Sequence, residues 1–273
     1  MLIRTLSRAA SRPRGPLAAR AATLMLGAGL LLLATSAHAT STFFGQDIPP
    51  GGAIPSSFPN SNAAKASFLA LLGDPGTEDF SGFRSGNDGP LNLLFRNPAG
   101  SGPAVETGKL TDPSSDGEGF IATAQKAKTG FPISGRTYWK NTTEEHEGLF
   151  RVRFDDPVRA FGFYATGYST LSQIGGTQLV LDLERVGGGT TSFQIPHDII
   201  DKTTGKVFFF GVVTDPFVAA TLRNIGPEDG DVIGFDDFTV AHVVVPEPAT
   251  GWLLAGGVLA VGAAARRARR PRA

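Results

Sequence analysis

The chain contains no cysteine, which excludes disulfide staples, thiolate metal sites, thiol catalysis and redox switching. Histidine is almost as scarce. His38, His146, His197 and His242 are scattered singly, with no HExxH pattern and no pair at helical spacing, so no zinc motif exists. There is no Gly-x-Ser-x-Gly elbow, no phosphate loop, and no glycine pattern of the dinucleotide type opening a helix. The 35 glycines read instead as turns and strand kinks of an all-β fold. Acids are missing from the first 39 residues, and charge of either sign is missing from residues 249–265.

Those two gaps organise the chain. Residues 1–39 carry Arg4, Arg8, Arg12, Arg14 and Arg20, then an apolar run, then Ala37-His38-Ala39 before Thr40. This is the order of a secretory signal peptide, to be removed by signal peptidase. At the other end, Pro246-Glu247-Pro248 precedes the uncharged run, and Arg266, Arg267, Arg269, Arg270 and Arg272 follow it. Two prolines around one acid stop a strand or a helix. As a helix, residues 249–265 would span roughly 25 Å, at the short end for crossing a bilayer, with the arginines on the cytoplasmic side.

Ten of the 25 basic side chains lie in these end segments, against one of the 25 acids, leaving 15 against 24 over residues 40–245, a formal charge of −9. A domain this acidic does not offer the clustered Lys and Arg that phosphate contacts need, which argues against nucleic acid as a partner. Its 206 residues are enough for one core without disulfides.

Residues 40–76 read as a Pro, Gly and Ser-rich lead-in with one short helix over 63–72, where Phe68, Leu71 and Leu72 share a face and Gly73 stops it. Residues 77–244 read as strands at 78–80, 91–95, 119–123, 131–134, 148–154, 160–166, 177–186, 191–195, 207–213, 218–223 and 233–243. No helix separates them, which predicts an antiparallel β-sandwich of jelly-roll type, all-β apart from the short helix.

The order Pro-Glu-Pro, apolar run, arginines resembles the PEP-CTERM sorting signal of Gram-negative bacteria, whose substrates are handled by membrane-bound exosortases. The words PVRAFGFYATG (157–167), KVFFFGVV (206–213) and VIGFDDFTV (232–240) are similar to those of exported PEP-CTERM proteins with a lectin-like sandwich domain. The resemblance implies recognition at Pro246, Glu247 and Pro248, membrane hold by residues 249–265, and orientation by Arg266 and Arg267. It further implies export, with the mature domain in the periplasm, at the cell surface or outside the cell. Members often carry an acid after the Ala-Thr-Gly stretch, where Tyr168 stands here.

Three functions follow as expectations: a non-catalytic surface or matrix protein associated with exopolysaccharide, a calcium-stabilised carbohydrate-binding module, and a carbohydrate-active enzyme. For calcium, the candidate ligands are Asp79, Asp88, Asp236 and Asp237, an acid at the opening strand and an acid pair at the closing one. The plainer reading is solvated turn acids, with one Asp capping loop amides. Asp229 and Asp231 lack the rest of an EF-hand. For a glycan, Tyr138, Trp139 and Tyr168 are the candidate stacking faces, with core or rim packing as the plainer reading of all three. For an enzyme, two carboxylates would have to face each other across a cleft, and Glu144, Glu145 and Glu147 are the densest acidic cluster in a loop. A thermal melt with and without calcium tests the metal expectation: a rise in melting temperature supports it, and no change removes it.

Overall fold

The computed structural model describes residues 40–49, 53–97, 103–114, 117–123, 130–142, 148–167, 178–196, 206–225 and 232–244. The signal-peptide and sorting segments, and the expected helix over 249–265, lie outside them. No helix among the described residues is long and apolar enough to cross a membrane.

Among the described residues, one helix, α1 (Pro59–Leu69), accompanies thirteen strands. In chain order these are β1 (Ser41–Asp47), β2 (Leu72–Gly73), β3 (Gly76–Glu78), β4 (Leu91–Arg96), β5 (Ala104–Thr111), β6 (Phe120–Ala122) and β7 (Tyr138–Thr142). The rest are β8 (Gly148–Thr166), β9 (Leu179–Arg185), β10 (Thr190–Gln194), β11 (Val207–Asn224), β12 (Val232–Ala241) and β13 (Val243–Val244). All the pairings between them are antiparallel. The main sheet runs β10-β9-β11-β8-β5-β4-β3-β12-β7-β6, with β1 added on β11 and a further pairing of β8 with β12.

That last pairing folds the sheet onto itself, and the two longest strands make the corners. The first part of β8 lies between β5 and the end of β11; its second part lies between β12 and the start of β11. Each of the two bends at an Asp-Pro step, Asp156-Pro157 in β8 and Asp215-Pro216 in β11, where their mutual register slips between Val213 and Phe217. The sequence predicts two strands on either side of each proline, but the chain runs through. A proline is tolerated in a sheet where a bulge already interrupts the ladder, and bulged bends let one strand serve both layers.

Side chains alternate along β8 and β11 between two cores. Phe161, Phe163, Phe208 and Phe210 join Phe150, Phe235 and Phe238 inside the fold, with the Phe150 ring 4.8 Å from Phe238 and 5.0 Å from Phe235. The opposite face carries Tyr164, Val207 and Phe209, covered by Phe68 of α1 and flanked by Phe43 of β1. At its centre Gly162 and Gly211 are direct cross-strand partners. A Cβ on Gly211 would come within 2.8 Å of Phe68, and one on Gly162 within 2.9 Å of Phe209 and 3.0 Å of Phe68. The two glycines thus form a notch that seats the helix.

The helix begins four residues earlier than its periodicity predicts and ends at Leu69. Pro59 supplies a preset first turn. The N–H groups of Asn60 and Ser61 donate to the Asp47 carboxylate at 3.1 and 2.8 Å, and the Ser61 hydroxyl donates to it at 2.7 Å. The cap therefore comes from β1, fourteen residues upstream of Ser61, and the expected irregular lead-in is a strand of the main sheet. Leu72 and Gly73 pair with Val244 and Val243 instead of extending the helix. Strand β5 is not legible because its inward face carries Glu106 and Gly108 beside Leu110. The expected strand at 131–134 is absent; the Ile133 and Ser134 N–H groups go to a side chain, Asp236.

Phe68→Ala is expected to cost about 3–5 kcal/mol, and Gly211→Ala about 1–3 kcal/mol through overpacking. In the double variant the Gly211→Ala cost should shrink, because the methyl enters space the ring has left. Urea unfolding of the four proteins checks this, and full additivity would refute the notch.

Candidate functional site

The word Phe235-Asp236-Asp237-Phe238 encodes a bulge. Phe235 and Phe238 are both fully buried in the inner core although three residues apart, and the β12–β8 register slips between Asp236 and Thr239. Asp237 takes a left-handed backbone, φ 51°, uncommon for a residue with a Cβ. The bulge turns the two carboxylates to different tasks. Asp236 is wholly buried; its Oδ2 accepts from the Ile133 and Ser134 N–H groups at 2.7 and 3.0 Å, and its Oδ1 from the Asp237 N–H at 2.7 Å. Asp237 reaches outward. It accepts from the Lys65 ammonium of α1 at 2.7 Å and from the Ser134 hydroxyl. Lys65 also lies 4.9 Å from the ring centre of Tyr164, whose hydroxyl donates to Asn62 Oδ1 at 2.7 Å.

Asp237, Lys65 and Ser134 line a cavity of about 660 Å³. Its other walls are Leu69 of α1, Thr77, Glu78 and Asp79 at the end of β3, and Gly82 and Phe83 in the following turn. The outward side of β4 supplies Asn92, Leu94 and Arg96, followed by Asn97. In β4 the alternation is strict: Leu91, Leu93 and Phe95 are buried, and Asn92, Leu94 and Arg96 are exposed. Leu94 is therefore an apolar side chain on the solvent side, 42% exposed at the cavity.

Burial raises the pKa of two carboxyl groups here. Glu78 is pushed up by desolvation, opposed by N–H donors from Leu94 and Phe80. Asp236 is pushed well up by desolvation and then by the neighbouring Asp237 charge, against its three N–H donors. Both Glu78 oxygens are engaged, Oε1 by the Phe80 N–H and Oε2 by the Leu94 N–H, each at 2.9 Å. These two groups hold backbone in place.

The sequence candidates fall apart into separate places. Asp79 and Asp237 share the cavity, Asp236 lies behind it, and Asp88 sits in a turn bridged to Phe120. Among the described residues no three His, Cys, Asp or Glu side chains converge to hold a metal. Tyr138 and Trp139 are fully buried, in core packing and not as exposed stacking faces at strand ends. The Tyr138 hydroxyl donates to the Gly130 carbonyl at 3.0 Å, and burial pushes its pKa up to about 12; the Trp139 indole donates to the Leu149 carbonyl at 3.1 Å. Neither ring offers a face to a sugar. Tyr168, His146, His197, Asp229, Asp231, the 144–147 glutamates and the sorting residues Pro246, Glu247, Pro248, Arg266 and Arg267 lie outside the described residues. His242 bridges Glu106 Oε2, 2.8 Å from Nε2, and the Pro157 carbonyl, 2.9 Å from Nδ1. Lys65, Phe83, Asn92 and Leu94 are absent from the sequence-based candidates; only Leu94, apolar on the polar side of LNLLFR, leaves a local signal.

The PEP-CTERM protein-sorting motif matches residues 244–270, and the chain carries that motif. No curated protein matches the chain. Among solved structures, it is similar to a cleaved adhesin domain of Lys-gingipain, at 13% identity and TM-score 0.38 over 61% of this chain and 97% of that one. A second such domain, from Porphyromonas gingivalis, gives 10% and 0.36 over 62% and 98%. The family 11 carbohydrate-binding module of Clostridium thermocellum, in complex with a mixed-linked tetrasaccharide, gives 10% and 0.31 over 63% and 97%.

A carboxyl with a raised folded-state pKa binds more protons in the fold than in the unfolded chain, so its contribution is largest at acid pH and is lost as pH rises through the folded-state value. Asp236→Asn is expected to destabilise by about 1–3 kcal/mol, since its amide N–H₂ would face backbone N–H donors. That cost should be greatest near pH 4 and shrink as pH rises. Urea unfolding of both proteins across pH 4 to 8 measures it, and a cost that grows with pH would contradict the assignment.

Proposed function

We propose that the mature domain is a non-catalytic sandwich module of jelly-roll type, exported, processed by an exosortase, and retained at the cell surface or in an extracellular matrix in association with exopolysaccharide. The observation that carries this reading is the sorting motif over residues 244–270. It begins at the second residue of β13, so the processing signal follows the fold almost without a spacer. A signal peptide over 1–39 and a membrane hold over 249–265 complete the route from the cytoplasm. The charge of −9 over residues 40–245 suits neutral polymers or cations better than nucleic acid.

A second reading, carbohydrate binding by the mature domain, is favoured by the cavity beside α1, which mixes apolar and polar walls at a size usual for small-molecule sites. A carbohydrate-active enzyme would need two free carboxylates across that cavity. The engagement of both Glu78 oxygens speaks against it.

An epitope placed in the turn at Gly187–Gly189, where a Cβ would meet nothing within 4 Å, allows the full chain to be followed in a host with and without its exosortase. The wild type should lose its C-terminal segment and collect outside the cytoplasmic membrane. The variant with Pro246→Ala and Pro248→Ala, and the exosortase-lacking strain, should keep the full-length form in the membrane fraction. Identical size and location in all three would refute the reading.

A further inference from the structure

We infer that the cavity between α1, β3 and β4 is the binding site for a neutral saccharide, on the reading that the mature domain works in association with exopolysaccharide. The first argument is unspent hydrogen-bonding capacity. Asp79 uses Oδ1 to accept the Ser81 N–H at 3.0 Å, while its Oδ2 has no partner among the described residues. The Asn92 amide, exposed on the same wall, has none either. One group accepts only and the other both donates and accepts, which matches hydroxyls that do both.

The second argument is charge. The ammonium of Lys65 is neutralised by Asp237 at 2.7 Å, and the Glu78 oxygens accept two backbone N–H groups. The charged side chains that line the cavity are Lys65 and Arg96 against Glu78, Asp79 and Asp237. The cavity has no surplus of positive charge to compensate a carboxylate, sulfate or phosphate on a ligand, and the domain around it is acidic.

The third argument is the apolar wall. Leu94 is 42% exposed where its strand otherwise turns polar groups outward, and half-buried Phe83 lines the same cavity. A pyranose presents a C–H face ringed by hydroxyls, so Leu94 and Phe83 would pack that face while Asp79 and Asn92 orient the rim. An uncharged molecule with one apolar face and several donor-acceptor groups is the ligand these walls select.

The test uses the exported, processed protein in calorimetric titrations with neutral gluco-, galacto-, manno- and xylo-oligosaccharides, from di- to tetrasaccharides, beside oligogalacturonates of the same lengths. At least one neutral series should bind, with little dependence on salt. Asn92→Ala and Leu94→Lys should each weaken binding by about tenfold or more, at unchanged melting temperature. Asp79→Asn should do likewise; because Asp79 also caps the Ser81 turn, Asn92→Ala serves as the variant free of that role. Binding of the acidic oligosaccharides alone, binding indifferent to Asn92→Ala and Leu94→Lys, or no binding in any series would overturn the inference. The matrix reading is judged separately, since these substitutions leave residues 244–270 untouched and fractionation of the same samples reports on it.

Discussion

The seat of Phe68 on Gly162 and Gly211 is the contact on which the architecture depends. The two glycines are cross-strand partners in the longest strand pair, and removing both Cβ atoms there opens a space that one aromatic ring fills. The ring sits with Phe43 5.7 Å and Phe209 5.6 Å away, so helix, added strand and central sheet meet at one point. A close-packed interior tolerates little change of volume, so a methyl at either glycine would displace the helix itself. The helix in turn carries Lys65, the cation that satisfies Asp237 and lines the cavity with it.

A second constraint acts along the same strands. The Asp-Pro steps of β8 and β11 stand near one another across the pair, and both strands change their outer partners there, β8 from β5 to β12 and β11 from β1 to β9. Around this corner the aromatic residues alternate, one set filling the interior and the other receiving α1. The bulge at Asp236 and Asp237 is a further irregularity of the sheet. It buries one carboxylate as a receptor for backbone N–H groups and projects the next toward Lys65. Irregular points in the ladder thus position the cavity walls, while the regular stretches supply the core, a division typical of bulges in antiparallel sheets.

The candidate site was legible only in fragments. Asp79 and Asp237 stand out as acids in the opening and closing words of the domain, and both reach the cavity. Tyr138 and Trp139 stand out just as clearly and are buried, because an aromatic ring at a strand end looks the same in sequence whether the next layer covers it or not. Lys65 and Asn92 give no signal, since a lysine in a helix and an asparagine alternating with leucines are ordinary surface residues until a neighbouring element turns that surface into a wall.

Local chemistry settled the address, the absence of disulfides, the antiparallel and helix-poor character, and most strand positions. Arginine clusters, an uncharged run, Pro-Glu-Pro and period-two alternation are properties of contiguous residues and need no partner to be read. The tertiary structure alone decided that β8 and β11 run unbroken through their prolines, that Asp47 caps the helix at Ser61, fourteen residues away, and that the glycines of two distant words face each other under Phe68. Each of these depends on what lies across the sheet. Cross-strand register is set by long-range pairing and core packing, which no window of neighbouring residues contains.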